Sequence, residues 1–210
     1  MTHVRRKAIA ILGAVLVPSA MMAPAASAAP ADPPPGVTIT VVSFSQDCWG
    51  GEVSMPVTAT SFTVRYWGLH ALAGGDSTPA ESRQKCQVVL RVDNAVGFTY
   101  AISRLRFAGS AEVAAGATGE LKTQHNFQGT PPSQEWTHKV PGPHAAPWTF
   151  DQQIPLDQVA FKPCGEERLL YLDTEMGVSA GDSDPSRTSI MALDTPDDSA
   201  TYDLLWKTCP

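Results

Sequence analysis

Asp173 and Glu175 stand one residue apart within Leu169 to Met176, where apolar and polar side chains alternate. On a strand, residues two apart share a face at roughly 6.6–6.8 Å. Carboxyl groups at about that separation could serve as acid and base in an inverting glycosidase. Neighbouring acids on an exposed strand face are also ordinary, and nothing else in the sequence marks a cleft around this pair.

Gly177-Val178-Ser179-Ala180-Gly181 has the G-x-S-x-G form of a nucleophile elbow. That class places its His after the Ser, and no His follows position 144. Pro185 also interrupts the helix that an elbow feeds, so the segment reads as a plain loop. His70, His125, His138 and His144 match no zinc spacing. Asp182-Ser183-Asp184 opens like a calcium loop. Counting from Asp182, however, Arg187 and Leu193 occupy the positions where an EF-hand needs Gly and Glu. A looser oxygen site could draw on Asp182 and Asp184 with Asp194, Asp197 and Asp198, but solvated acidic loops are the plainer reading. No cofactor is expected.

Five tryptophans remain to be placed. Trp206 alternates with Leu204 and Tyr202 and reads as core. Trp67 ends a strand beside Tyr66, and Trp49 adjoins Cys48. Trp136 and Trp148 flank the proline-rich stretch Gly129 to Pro147, read as a long surface loop. Flat amphipathic rings on a rigid sheet suit sugar stacking, and long ordered loops tend to carry binding residues. Trp136 and Trp148 are therefore the candidate binding residues. The competing reading folds both rings back to pin the loop.

The elements that must position these residues alternate with period two. The clearest runs are Val37-Ile39-Val41, Phe62-Val64-Tyr66, Cys86-Val88-Leu90-Val92, Phe98-Tyr100-Ile102, Leu121-Thr123-His125-Phe127 and Trp148-Phe150-Gln152-Ile154. Leu105 and Phe107 take the opposite parity from Ile102, which predicts a bulge near Ser103-Arg104. Later strands span Leu169 to Met176, Ser189 to Leu193 and Thr201 to Trp206. Thr78-Pro79-Ala80-Glu81 is the one helical signal, a capping Thr with Pro first and Glu third. Short strands separated by Gly, Pro, Asp and Ser predict a single all-β domain, an antiparallel β-sandwich.

The chain opens on Arg5-Arg6-Lys7, continues through an apolar run to about Val17, and reaches Ala26-Ser27-Ala28. That is the grammar of a secretory signal peptide over residues 1–28. Twin-arginine export is the weaker alternative to the general route. Residues 29–36 read as a Pro-rich leader, and residues 37–210 as the secreted, extracellular domain. The mature chain has no span long enough to cross a bilayer as a helix. The whole chain has 15 basic and 21 acidic residues, for a net charge of −6. Removing Arg5, Arg6 and Lys7 deepens this to −9. That balance argues against nucleic acid as a partner and favours a neutral polysaccharide over a polyanionic one. Cys48, Cys86, Cys164 and Cys209 form an even set without C-x-x-C spacing, which reads as two disulfides with three pairings open.

Several segments carry a family resemblance. They are Cys48-Trp49-Gly50-Gly51, Glu81-Ser82-Arg83-Gln84-Lys85-Cys86-Gln87, Gly97-Phe98-Thr99-Tyr100, Gly142-Pro143, Cys164-Gly165 and Leu204-Leu205-Trp206-Lys207-Thr208-Cys209. In this order they resemble the secreted family called domain of unknown function 4360, over roughly Val42 to Cys209. Leu170-Tyr171-Leu172-Asp173 departs from the family's Leu-Asn-Ile-Asn strand. The resemblance implies a β-rich exported fold and, by sequential order, pairing of Cys48 with Cys86 and Cys164 with Cys209. It implies no activity and no site. The functional expectation is a non-catalytic binding or cell-surface module, with a neutral glycan as the candidate ligand. A glycan hydrolase using Asp173 and Glu175 is the alternative.

Overall fold

The structure, a computed structural model, describes residues 30–45, 48–94 and 96–210. The expected signal peptide lies outside the described residues. Thirteen strands are named in chain order: β1 (Pro30–Ala31), β2 (Thr38–Phe44), β3 (Gly51–Ser54), β4 (Ser61–Tyr66), β5 (His70–Ala73), β6 (Arg83–Asp93), β7 (Phe98–Val113), β8 (Thr118–Phe127), β9 (Trp136–Pro141), β10 (His144–Gln153), β11 (Leu170–Ser179), β12 (Ser189–Ala192) and β13 (Ser199–Thr208). They form two antiparallel sheets. The first runs β3-β4-β13-β7-β12-β5, with β1 added on β13 and β10 on β7; the second runs β2-β6-β11-β8-β9.

Alternation decides which side chains meet between the sheets. Phe62, Val64 and Tyr66 on β4 are buried, as are Cys86, Val88, Leu90 and Val92 on β6 and Leu121, Thr123, His125 and Phe127 on β8. Aromatic contacts cross the interface. Tyr100 on β7 meets Phe127 on β8 edge-on at 5.3 Å, while its same-sheet neighbour Trp206 on β13 packs beside it at 5.4 Å. Tyr66 and Thr174 hydroxyls bond across it at 3.0 Å. The expected bulge lies in β7: Arg104 pairs with Asp203 but Ile102 pairs with Leu204, leaving Ser103 over. That extra residue is why Ile102 and Leu105 can both be buried.

Both predicted disulfides form, Cys48–Cys86 and Cys164–Cys209. The capping segment folds as a 3-10 turn, Pro79–Ser82, with the Glu81 carboxylate accepting from the Thr78 N–H at 2.6 Å and its hydroxyl at 2.8 Å.

Within the expected Pro-rich leader, Pro30 and Ala31 pair with Lys207 and Trp206. One expectation needs correction. The stretch Gly129 to Pro147 is not one long loop: β9 occupies its middle and β10 begins at His144. Its prolines concealed this. Among the described residues both strands are edges, β9 bonded to β8 and β10 to β7, and an edge strand tolerates Pro because one row of its N–H groups faces away from the ladder. The two edges meet where His138 stacks on Trp148 and Phe150, at 5.8 and 5.2 Å.

Candidate functional site

Trp148 is buried, with 4% of its surface exposed. It pairs with Gly109 on β7. A Cβ on Gly109 would fall 2.5 Å from the Trp148 ring, so the indole lies on the bare backbone there. Its Nε1 donates to the Ser110 carbonyl at 3.1 Å. A ring held this way offers no face to a ligand, which corrects the expectation that Trp148 is part of a stacking platform. Trp136 is half-buried beside the core, with its Nε1 shielded from solvent. It lines a cleft with Pro131, Pro132 and Phe161.

The exposed rings are Trp49 and Trp67, at 77% and 56%. They occur in two Trp-Gly dipeptides, Trp49-Gly50 and Trp67-Gly68, at the open end of the β3–β4 ladder, where Gly51 pairs with Tyr66. The Trp67 N–H continues the ladder to the Gly50 carbonyl at 3.0 Å. Each ring lies against the other dipeptide's glycine. A Cβ on Gly68 would sit 2.8 Å from Trp49, and one on Gly50 would sit 3.1 Å from Trp67. Gly50 and Gly68 both have positive φ, 130° and 75°, which residues with a Cβ adopt reluctantly. The two glycines thus supply the turn and the bed for the rings. Exposed tryptophans far from one another would be ordinary, but this pair is built.

The loop carrying Trp49 is fastened to β6. Cys48 is bridged to Cys86, and Ser45 makes two bonds to the Gln87 backbone, its N–H donating to the carbonyl at 2.9 Å and its Oγ accepting from the N–H at 3.1 Å. Trp49 therefore borders a groove of about 580 Å³ shared with His70, Leu72, Glu81, Arg83 and Lys85, a size within the range of small-ligand sites. Its charges balance. Arg83 and Lys85 both bind Glu175, Lys85 at 2.8 Å, and Glu81 is held by Thr78. The sequence signal that marks this site is the repeated Trp-Gly dipeptide.

Asp173 and Glu175 do share the outer face of the second sheet. Asp173 sits between Gln87 and Gln124, Glu175 between Lys85 and Lys122. Partial burial works to raise the Glu175 pKa, but the bond from Lys85 and the charges of Arg83 and Lys85 outweigh it and hold the carboxyl below its ordinary range. Asp173 accepts from Gln87 Nε2 at 2.9 Å. A glycosidase acid must stay protonated near neutrality, and Glu175 is held the other way.

Ser179 ends β11 and enters a turn at Gly181, with no helix following. Asp184 turns back on Ser186, accepting from its N–H at 2.9 Å and its hydroxyl at 2.7 Å. Asp198 accepts the Asp194 and Thr195 N–H groups, and Asp194 binds His70 at 2.9 Å. These acids organise their own loops. Among the described residues no three His, Cys, Asp or Glu side chains converge as metal ligands, Asp182 and Asp184 included.

Among solved structures, the fold is similar to a family 61 carbohydrate-binding module in complex with β-1,4-galactotriose (12% identity, 83% of this chain, 89% of that one, TM-score 0.28). It is also similar to a family 11 carbohydrate-binding module from Clostridium thermocellum in complex with a β-1,3-1,4-mixed-linked tetrasaccharide (8% identity, 83% and 85% coverage, TM-score 0.20). A third is the enzymatically active domain of tailspike protein 4 of bacteriophage CBA120 (10% identity, 82% of this chain, 19% of that one, TM-score 0.27). No curated protein matches the chain. The family model for the domain of unknown function DUF4360 matches residues 35–209, and with its order of motifs, its sandwich and its two disulfides accounted for, the chain belongs to that family.

Proposed function

We propose that this protein is an exported, non-catalytic module that binds a neutral polysaccharide through Trp49 and Trp67. The observation carrying this reading is the pair itself: two exposed indoles, each bedded on the other's glycine, with Trp49 lining a groove. Sugar rings present C–H faces that stack on indoles, and immobilised rings lose little entropy on binding. The groove's charge balance suits a neutral ligand, because Arg83 and Lys85 are offset by Glu175 and Glu81 and leave no net positive charge to attract a carboxylate or sulfate. Export rests on the basic start, the apolar run and Ala26-Ser27-Ala28, and two disulfides suit an oxidising compartment.

Affinity gel electrophoresis tests the reading with galactan, mannan, xyloglucan and mixed-linked β-glucan. At least one gel should retard the wild-type protein. Trp49→Ala and Trp67→Ala should each weaken retention by about tenfold, since one stacked ring contributes on the order of 1–3 kcal/mol in comparable stacking sites. Retention by none of the four, or retention untouched by both substitutions, would defeat the proposal.

A further inference from the structure

The outer face of the second sheet carries polar side chains in cross-strand rows. Lys85, Glu175 and Lys122 form one row across β6, β11 and β8. Gln87, Asp173 and Gln124 form the next, and Tyr171 and Asn126 follow, in register with the buried Val89. Lys85 lies at the junction, lining both the groove beside Trp49 and the depression over Gln87, Gln124 and Asp173. The two hollows therefore adjoin along β6. From Lys85 to Val89 the strand advances roughly 13–14 Å, farther than one sugar ring reaches.

The chemistry of these rows suits hydroxyl groups. Primary amides both donate and accept, and a carboxylate accepts twice, which matches the alternating demands of sugar hydroxyls. Gln87 and Asp173 already hold one another at 2.9 Å, so their orientation is set before any ligand arrives. Tyr171, half-exposed between buried Leu170 and Leu172, adds a ring on the same face. The depression's lining sets Lys85 and Lys122 against Glu135, Asp173 and Glu175, and both cations are engaged, Lys85 with Glu175 at 2.8 Å and Lys122 with Glu120 at 3.3 Å. Asp173 has no cationic partner among the ion pairs of the described residues, and it disfavours an anionic sugar.

We infer that the saccharide site continues from Trp49 and Trp67 past Lys85 onto the row Gln87–Asp173–Gln124, with Tyr171 beyond it. The occupant is then an internal stretch of a neutral polysaccharide several sugars long, and not a chain end. This rests on the platform proposed above.

The test uses oligosaccharides of two to six sugars cut from the retained polysaccharide, titrated calorimetrically into the mature protein. Affinity should rise with length up to the hexasaccharide. Gln87→Ala and Gln124→Ala should each weaken the hexasaccharide by roughly three- to tenfold, the worth of one neutral hydrogen bond, and leave the disaccharide unchanged. Both variants should melt with the wild type, because the side chains lie on the outer face. Equal affinity for di- and hexasaccharide, or a hexasaccharide indifferent to both substitutions, overturns the extended path while leaving the tryptophan platform standing. Loss of Trp49 without effect on any length overturns both.

Discussion

Two pairs of tryptophans divide the molecule. Trp148 and Trp206 lie inside, and their indole N–H groups are bonded to backbone carbonyls, Ser110 at 3.1 Å and Ala59 at 2.9 Å. Trp49 and Trp67 lie outside, yet their seats are as particular, each ring on a positive-φ glycine whose added Cβ would come within 2.8 or 3.1 Å of it. The inner pair is positioned by the core that it helps to fill. The outer pair is positioned by turns, ladder bonds and a disulfide, with most of its surface left to solvent. Fixing a large apolar ring in water gives no folding advantage of that size, so the difference separates residues kept for stability from residues kept for contact.

The sharpest break in the comparison is truncation of the inner pair. Trp206→Ala should cost about 3–5 kcal/mol, the usual range for a fully buried aromatic, and Trp148→Ala a similar amount. Urea denaturation measures both. Trp49→Ala and Trp67→Ala should stay within about 0.5 kcal/mol, as surface substitutions do. An exposed ring that costs as much as an inner one would dissolve the distinction.

The two disulfides offer a second contrast. Their sequence separations are alike, 38 and 45, so the chain-entropy model assigns each about 4 kcal/mol. Their places differ. Cys48–Cys86 fastens the Trp49 loop to β6, and Cys164–Cys209 fastens the segment after β10 to the end of β13. Replacing either pair with Ser should lower stability by comparable amounts. Only loss of Cys48–Cys86 should also weaken polysaccharide retention per folded molecule.

A smaller effect follows from His125, on the inward face of β8. Burial pushes its pKa down to about 4, against about 6.5 in an unfolded chain. The unfolded state therefore binds the extra proton first. The stability from keeping His125 neutral is fully present above about pH 6.5 and is lost as pH falls toward 4, on the order of 3 kcal/mol across that window. His125→Gln should flatten this part of the stability–pH curve relative to wild type. Equal slopes for the two proteins would refute the burial argument.

The strands were legible because each presents one face to the core, and period two survives even at Thr123 and His125, polar residues placed inward among Leu121 and Phe127. The bulge at Ser103 was legible from the parity change alone. What escaped were the short strands β1, β3 and β5, the whole of β9 and the start of β10; in the last two, Pro141 and Pro147 read as loop although edge strands accommodate them. The site escaped for a related reason. Its two halves, Trp49-Gly50 and Trp67-Gly68, are joined only by the ladder between β3 and β4, and which glycine lies under which ring is a fact of pairing register. Trp136 and Trp148 drew attention through a loop that is a pair of strands.

The most direct measurement is a proton–nitrogen correlation spectrum of the indole N–H groups during titration with the retained polysaccharide. Each of the five tryptophans gives one signal, assigned by single Trp→Phe substitutions. The signals of Trp49 and Trp67 should move progressively while those of Trp148 and Trp206 stay in place. Movement of the inner pair with the outer pair still would contradict the account at its centre.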